Sequence, residues 1–175
     1  MLFEPYARDL AGRLAGIAGR VLETAAGTGI VTRALVQALP PDIAITATDL
    51  NQPMLDHAAQ KLDAPQVAWR QANALSLPFE DSGFEAVVCQ FGVMFFPDKA
   101  AGFAEARRVL RPGGRFLMAV WTPGWAMFAV ANVFSLLLTS KARWRGMAAD
   151  AGFNAVDEGT FNNTWFVLLE KPIAG

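Results

Sequence analysis

One cysteine, one histidine and one tyrosine occur among the 175 residues of this chain, and each scarcity removes a class of function. Cys89 has no second cysteine to form an internal disulfide, and a lone His57 gives no basis for a histidine-rich metal site. A Ser-His-Asp or Cys-His centre would need His57. That residue falls outside the arc on which Met54, Leu55, Ala58, Ala59 and Leu62 recur at helical spacing, so it reads as solvated. Cys89, inside an apolar run, reads as a small core residue rather than a reactive thiol. Charge is scarce too: charged residues make up 18%, against a usual ~25%, and the formal net charge is -1. No global attraction to a phosphate backbone is expected, so nucleic acid is not a predicted partner. Met1 to Ala18 carries acidic residues and no continuous apolar core, unlike a signal peptide. The longest apolar stretch, Met127 to Leu138, is interrupted by Asn132 and Ser135 and is shorter than the ~20 residues that span a bilayer. A reducing cytoplasmic setting is the expectation.

Apolar residues, by contrast, are abundant at 53%, enough for one domain with a sizeable core over residues 1–175. Pro5 to Ala18 has helical periodicity and meets Gly19. Arg20 to Glu23 reads as a strand running into the small-residue turn Ala25-Ala26-Gly27-Thr28-Gly29, and Ile30 to Leu39 as a helix stopped by Pro40-Pro41. A second strand (Ile43 to Thr48), a helix (Pro53 to Leu62) and a third strand (Gln66 to Gln71) follow. Glu85 to Phe91 is a fourth strand, Lys99 to Leu110 a helix, Arg111 to Gly114 a turn and Arg115 to Trp121 a fifth strand. Runs such as Ala86-Val87-Val88-Cys89 lack polar alternation, as strands buried on both faces do. Arg143 to Ala151 reads as a helix, followed by strands at Phe153 to Asp157 and Thr164 to Glu170. The expected fold is α/β: seven strands, mostly parallel, helices on both faces, and a C-terminal antiparallel pair.

In such a sheet, ligands bind beyond the carboxyl ends of the strands. Three strand ends carry suitable residues. The Gly27-Thr28-Gly29 turn lets backbone approach a ligand before a helix N-terminus. Asp49, at the end of the second strand, can accept both hydroxyls of a ribose. Asn73, past the third, offers an amide to the edge of a base. A nucleoside-containing ligand follows. A dinucleotide fingerprint wants a third glycine where this chain has Thr32, and no Gly-Lys-Ser/Thr follows the turn as a P-loop requires. Glu23, an anion at the mouth of the first strand, would repel a pyrophosphate but accept from a cationic group, such as the ammonium of S-adenosylmethionine.

The stretches Val21 to Gly29, Thr48 to Asn51, Met54-Leu55, Ala72 to Ala74 with Leu77 to Phe79, Phe84 to Gly92, and Arg108 to Gly114 together resemble class I S-adenosylmethionine-dependent methyltransferases. The similarity is to the branch containing ubiquinone/menaquinone-biosynthesis enzymes (methyltransferase type 11) and extends from about Tyr6 to Trp121. It implies a Rossmann-like fold, S-adenosylmethionine as cofactor, S-adenosylhomocysteine as product, and a small apolar or aromatic acceptor. It also implies that Glu23, Ala25 and Gly27 line the methionine part, with Gly29 of the same turn counted as cofactor-binding, that Asp49 holds the ribose, and that Leu50 and Met54 flank the adenine. Asn73 and Ala74 would lie at the adenine edge, with Gln90 and Phe91 facing the methyl group or substrate. Tyr6 is a candidate substrate contact or ordinary helix-face packing. Ala25 replaces a common glycine, which requires a negative φ to be harmless, and Asn73 replaces a common aspartate. Asp49 as a turn cap, Glu23 as a holder of loop N–H groups and Asn73 as a turn former are the alternative structural roles.

Tyr6, Asp98 and His57 are the candidate general bases by residue type, and none is compelling. The apolar segment at about 123–140 corresponds to a substrate lid shorter than its relatives carry. It reads either as a reduced lid suited to an apolar substrate or as the mark of a longer parent; a homodimer interface and a membrane-surface contact are its alternative uses. Two other functions remain open: a non-catalytic S-adenosylmethionine-binding module or partner subunit, and, disfavoured by Thr32 and Glu23, a nicotinamide-dependent oxidoreductase.

Overall fold

A computed structural model describes residues 3–121, 140–161 and 164–173. The first part alternates: α1 (Glu4–Gly12), β1 (Val21–Thr24), α2 (Ile30–Ala38), β2 (Ile45–Asp49), α3 (Gln52–Lys61) and β3 (Val67–Gln71). After these come β4 (Phe84–Gln90), a 3-10 turn (Val93–Phe95), α4 (Lys99–Val109), β5 (Leu110–Trp121), α5 (Lys141–Asp150), β6 (Asn154–Phe161) and β7 (Thr164–Glu170). The lid expected at about 123–140 lies almost wholly outside the described residues.

The seven strands form one sheet in the order β3-β2-β1-β4-β5-β7-β6. β1 pairs in parallel with both β2 and β4, so the strand order turns between β1 and β4, where a crevice opens beyond the carboxyl ends. β7 runs antiparallel between β5 and β6. Apolar runs explain the centre: every residue of β1 is buried, as are Ala86, Val87, Val88 and Cys89 of β4. On one face Leu10 and Leu14 with Val31 and Leu35 cover Val88, Leu117 and Phe166. Leu55 of α3 packs on Ala47, which alternation places on the same face as Ile45. On the other face Phe103 of α4 stands 5.7 Å from Phe116 and 6.3 Å from Trp144 of α5.

Three boundaries differ from the sequence reading. α1 ends at Gly12 because the following bonds tighten to three-residue spacing, Leu14 N–H to the Ala11 carbonyl and Ala15 N–H to that of Gly12, until Gly16 breaks the run at φ +81°. Arg111 to Gly114 is a bulge within β5, where the register against β4 jumps from Phe84–Leu110 to Ala86–Arg115. β6 extends to Phe161 because β7 pairs with its whole length.

Two stretches of sequence meet at Arg108. Its guanidinium donates to the carbonyls of Leu77 (2.9 Å) and Phe79 (2.7 Å) and to Asp81 and Glu105 (2.7 Å each). Glu105 in turn accepts from the Leu77 N–H at 2.7 Å. The Leu77-Pro78-Phe79 strap is thereby tied to α4, and the loop carrying Asn73 and Ala74 is anchored at its far end. Arg108→Ala is expected to lower unfolding free energy by about 2 kcal/mol, chiefly through the two part-buried carbonyls left without a donor. Urea unfolding measures it; a change within error would show that the strap needs no such tie.

Candidate functional site

β1 and β4 deliver their last side chains into the crevice between them. A cavity of about 490 Å³ there is walled by Glu23, Ala25 and Gly27 at the end of β1 and just beyond it, by Gln90, Phe91 and Gly92 at the end of β4 and just beyond it, and by Met54 of α3. A second cavity of about 280 Å³ lies beside it, at the end of β2, against Asp49, Leu50, Asn73 and Ala74. The two share Ala25, Gly92 and Phe95, which form their common wall. The sequence-derived residues thus divide into two groups on either side of the β1–α2 turn.

Alternation along β1 turns Glu23 toward α2, where it is only 2% exposed. The Thr32 hydroxyl donates to Glu23 Oε2 at 2.7 Å, and no ion pair among the described residues reaches this carboxyl. Burial is the main cause that pushes its pKa up to about 8, with the nearby charge of Asp49 adding to it and the Thr32 bonds opposing. Across the cavity Gln90 Oε1 is buried and has no hydrogen-bond partner among the described residues. An acid without a counter-ion and an orphaned carbonyl facing one cavity make a site that accepts hydrogen bonds from a cation.

Asp49 is held by backbone. Its Oδ2 accepts from Gly27 N–H and its Oδ1 from Asn51 N–H, both at 2.8 Å. The cap of α3 is Asn51, which accepts from Met54 N–H at 3.4 Å. An ionised carboxylate has about four lone-pair sites, so two remain for hydroxyl donors from the cavity. Asn73 follows the turn-forming alternative: its Oδ1 accepts from Leu75 N–H at 3.0 Å, and the exposed residue still borders the second cavity.

Ala25 requires a correction. Its φ is +55°, in the left-handed region, so replacing the usual glycine stores backbone strain of about 1–2 kcal/mol. Phe91 is held at φ +60°, a second strained residue on the same wall. Gly29 does not line either cavity. It caps α2 at φ +76°, a left-handed conformation that favours glycine, and a Cβ there would come within 3.0 Å of Ala58 and Trp69, so backbone and packing both account for it. Tyr6 packs against Phe91 and Phe166, with ring centroids at 5.8 and 6.5 Å, and borders neither cavity.

Of the candidate bases, His57 is exposed outside both cavities, and Asp98 caps α4 by accepting from Ala101 N–H at 2.9 Å. Burial pushes the Cys89 thiol up to about 11, which leaves it inert. Sequence reasoning missed Phe3, Phe95, Gly92 and Trp121. Phe3 and Trp121 lie 6.4 Å apart, and each meets Phe91, at 5.8 and 5.1 Å, forming an aromatic wall over the first cavity. The signal available for Gly92 was its place directly after the fourth strand; Phe3 and Trp121 carry none, because only the fold brings them together.

Comparison with known proteins bears on the family and the fold. The methyltransferase domain family matches residues 21–114, more than half of the chain. A demethylmenaquinone methyltransferase from Deinococcus radiodurans is 42% identical over 106 residues, covering 59% of this chain and 44% of that protein. The chain thus spans less than half the length of that curated relative. Among solved structures, a SAM-dependent methyltransferase from Aquifex aeolicus superposes with a TM-score of 0.80 at 15% identity, covering 97% of this chain and 92% of that one. The Haemonchus contortus phosphoethanolamine N-methyltransferase 2, in complex with S-adenosyl-L-methionine, gives 0.78 at 16%, covering 96% and 52%. At these identities the structures establish the shared fold.

Proposed function

This chain belongs to the methyltransferase domain family, and from that premise we propose that it binds S-adenosylmethionine and transfers its methyl group to a small apolar or aromatic acceptor. The observation that carries the reading is the buried Glu23 carboxyl, without a counter-cation among the described residues, on one cavity with the unpartnered Gln90 carbonyl. A pyrophosphate would find no cation there and would meet the orphaned Gln90 carbonyl, whereas an ammonium supplies what both groups lack. A second observation is the backbone at Gly27: a Cβ added there would meet nothing within 4 Å, so the turn opens directly onto the cavity. The residues present fit the cofactor. Glu23 and Gln90 would hold its amino acid end, Asp49 the ribose hydroxyls, and Leu50, Met54 and Ala74 the base.

Bound there, the cofactor supplies a methyl group already activated by a positively charged sulfur. The chain's own contribution is placement and dryness. Phe3, Phe91 and Trp121 give the first cavity an aromatic wall that excludes water and favours a flat apolar acceptor. With the cofactor laid across both cavities, past their shared wall of Ala25 and Gly92, an acceptor against the aromatic wall of the first cavity would be aligned with the methyl group, the kind of alignment that can supply most of the acceleration. The demethylmenaquinone in the name of the Deinococcus relative is an acceptor of this class.

Calorimetric titration with S-adenosylmethionine and S-adenosylhomocysteine, with NADH as control, tests the reading. Binding of the first two alone is expected, and NADH binding would refute it. Formation of S-adenosylhomocysteine with an aromatic acceptor then separates an enzyme from a binding module.

A further inference from the structure

We infer that Thr32 and Glu23 form a proton-linked recognition pair, in which seating an ammonium group in the first cavity expels a proton from the Glu23 carboxyl. The inference rests on the S-adenosylmethionine reading and concerns how that same site recognises charge. Thr32 is fully buried on the first turn of α2, at the position where a dinucleotide-binding chain needs glycine. The side chain that rules out that fingerprint is the donor to Glu23, at 2.7 Å.

The groups around Glu23 explain why the free acid keeps its proton. From β2 comes Asp49, whose negative charge opposes a second anion; from β4 come the orphaned Gln90 carbonyl and the buried Cys89 thiol; from α2 comes Thr32 alone. No cation is paired with Glu23 among the described residues, and a buried anion without one is disfavoured. An arriving ammonium reverses the balance, because its charge favours the carboxylate. The ammonium keeps its proton, the carboxyl proton leaves to solvent, and the result is a carboxylate–ammonium pair with Thr32 holding the second oxygen.

The consequence is a pH dependence with a change of sign. With Glu23 titrating at about 8, binding at pH 6.5 releases close to one proton, and affinity falls about tenfold per unit of further acidification. A free α-amino group loses its own proton near pH 8, so at pH 9 binding takes up a proton instead. Affinity therefore peaks around pH 8. Thr32 sets the position of that peak as the side-chain donor to the ionised form. Thr32→Val should move it to higher pH and weaken binding at neutral pH about tenfold; Thr32→Ser should restore both.

The test is calorimetry with S-adenosylmethionine at pH 6.5 and 9, in two buffers of different ionisation enthalpy. It is paired with a carbon-13 carboxyl NMR titration of the free protein, using Glu23→Gln to assign the resonance. Expected are proton release at the lower pH, uptake at the higher, and a Glu23 carboxyl still protonated at pH 6.5. 5′-Methylthioadenosine, which lacks the amino acid end, should bind without exchanging protons. Buffer-independent heat at pH 6.5, or a Glu23 carboxyl already ionised there, overturns the inference and leaves the cofactor reading intact. An unmoved pH profile in Thr32→Val overturns the part given to Thr32. Absence of binding at every pH overturns the cofactor reading and the linkage with it.

Discussion

Replacement of Asp49 by alanine is expected to weaken S-adenosylmethionine binding by about 3 kcal/mol, roughly a hundredfold in Kd. Two losses combine. The carboxylate is the charged acceptor at the floor of the second cavity, and hydrogen bonds to charged groups contribute about 1.5–3 kcal/mol each. It also holds Gly27 N–H and Asn51 N–H at 2.8 Å, so its removal loosens the turn lining one cavity and the start of α3 beside the other. Asp49→Asn keeps one acceptor oxygen and should lose less. Titration calorimetry measures both variants, with a thermal melt to show that they remain folded. Unchanged affinity in the alanine variant would remove Asp49 from the site.

Gly92→Ala is expected to destabilise the protein by about 2–3 kcal/mol and to disable binding in both cavities, because overpacking a rigid contact displaces backbone. The φ of Gly92 is -78°, open to any residue, so the requirement is space alone. An added Cβ would lie 2.3 Å from Ala25 Cβ and 2.9 Å from Cys89 Sγ. Ala25 is itself strained at φ +55°. Ala25→Gly removes the colliding carbon and that strain together, while the freer unfolded chain offsets part of the gain. A double-mutant cycle by urea unfolding should give a coupling of about 2 kcal/mol, with rescue incomplete because the Cys89 contact remains. Additive effects would show that the two residues do not share one wall.

The central strands were legible because burial on both faces leaves its mark in the order of residues: Ala86 to Cys89 needs no partner to be recognised as interior. Glu23 and Asp49 were legible for the opposite reason, being acids at strand ends where apolar residues would serve the fold better. What a neighbour decides was not legible. Whether Ala25 sits at positive φ depends on the path the turn takes past Gly92, and whether Asn73 offers its carbonyl outward depends on Leu75 N–H claiming it first. A glycine-rich turn suits a ligand, which is why Gly29 reads as a ligand contact, yet its left-handed φ and the room it leaves for Ala58 and Trp69, far along the chain, account for it. The end of α1 was missed because helical periodicity continues through Leu14 while the hydrogen bonds have already shortened.

The antiparallel placement of β7 orders events during synthesis. β6 borders only β7, so the outer edge of the sheet has nothing to join until residues Thr164–Glu170 have emerged. The end of the first helix also meets this edge: Arg13 lies 5.3 Å over the Phe166 ring and pairs with Asp157 of β6 at 2.9 Å, and Tyr6 stacks on Phe166. The aromatic wall contributed by Phe3 and Phe91 is continuous with that contact through Tyr6. α1 can settle on α2 early, Leu10 and Leu14 against Val31 and Leu35, but the contact of Arg13 with Phe166 waits for about 150 further residues, and contacts so distant in sequence are slow to close. A nascent chain can pair β1, β2 and β4 early, but the antiparallel edge of the sheet closes last.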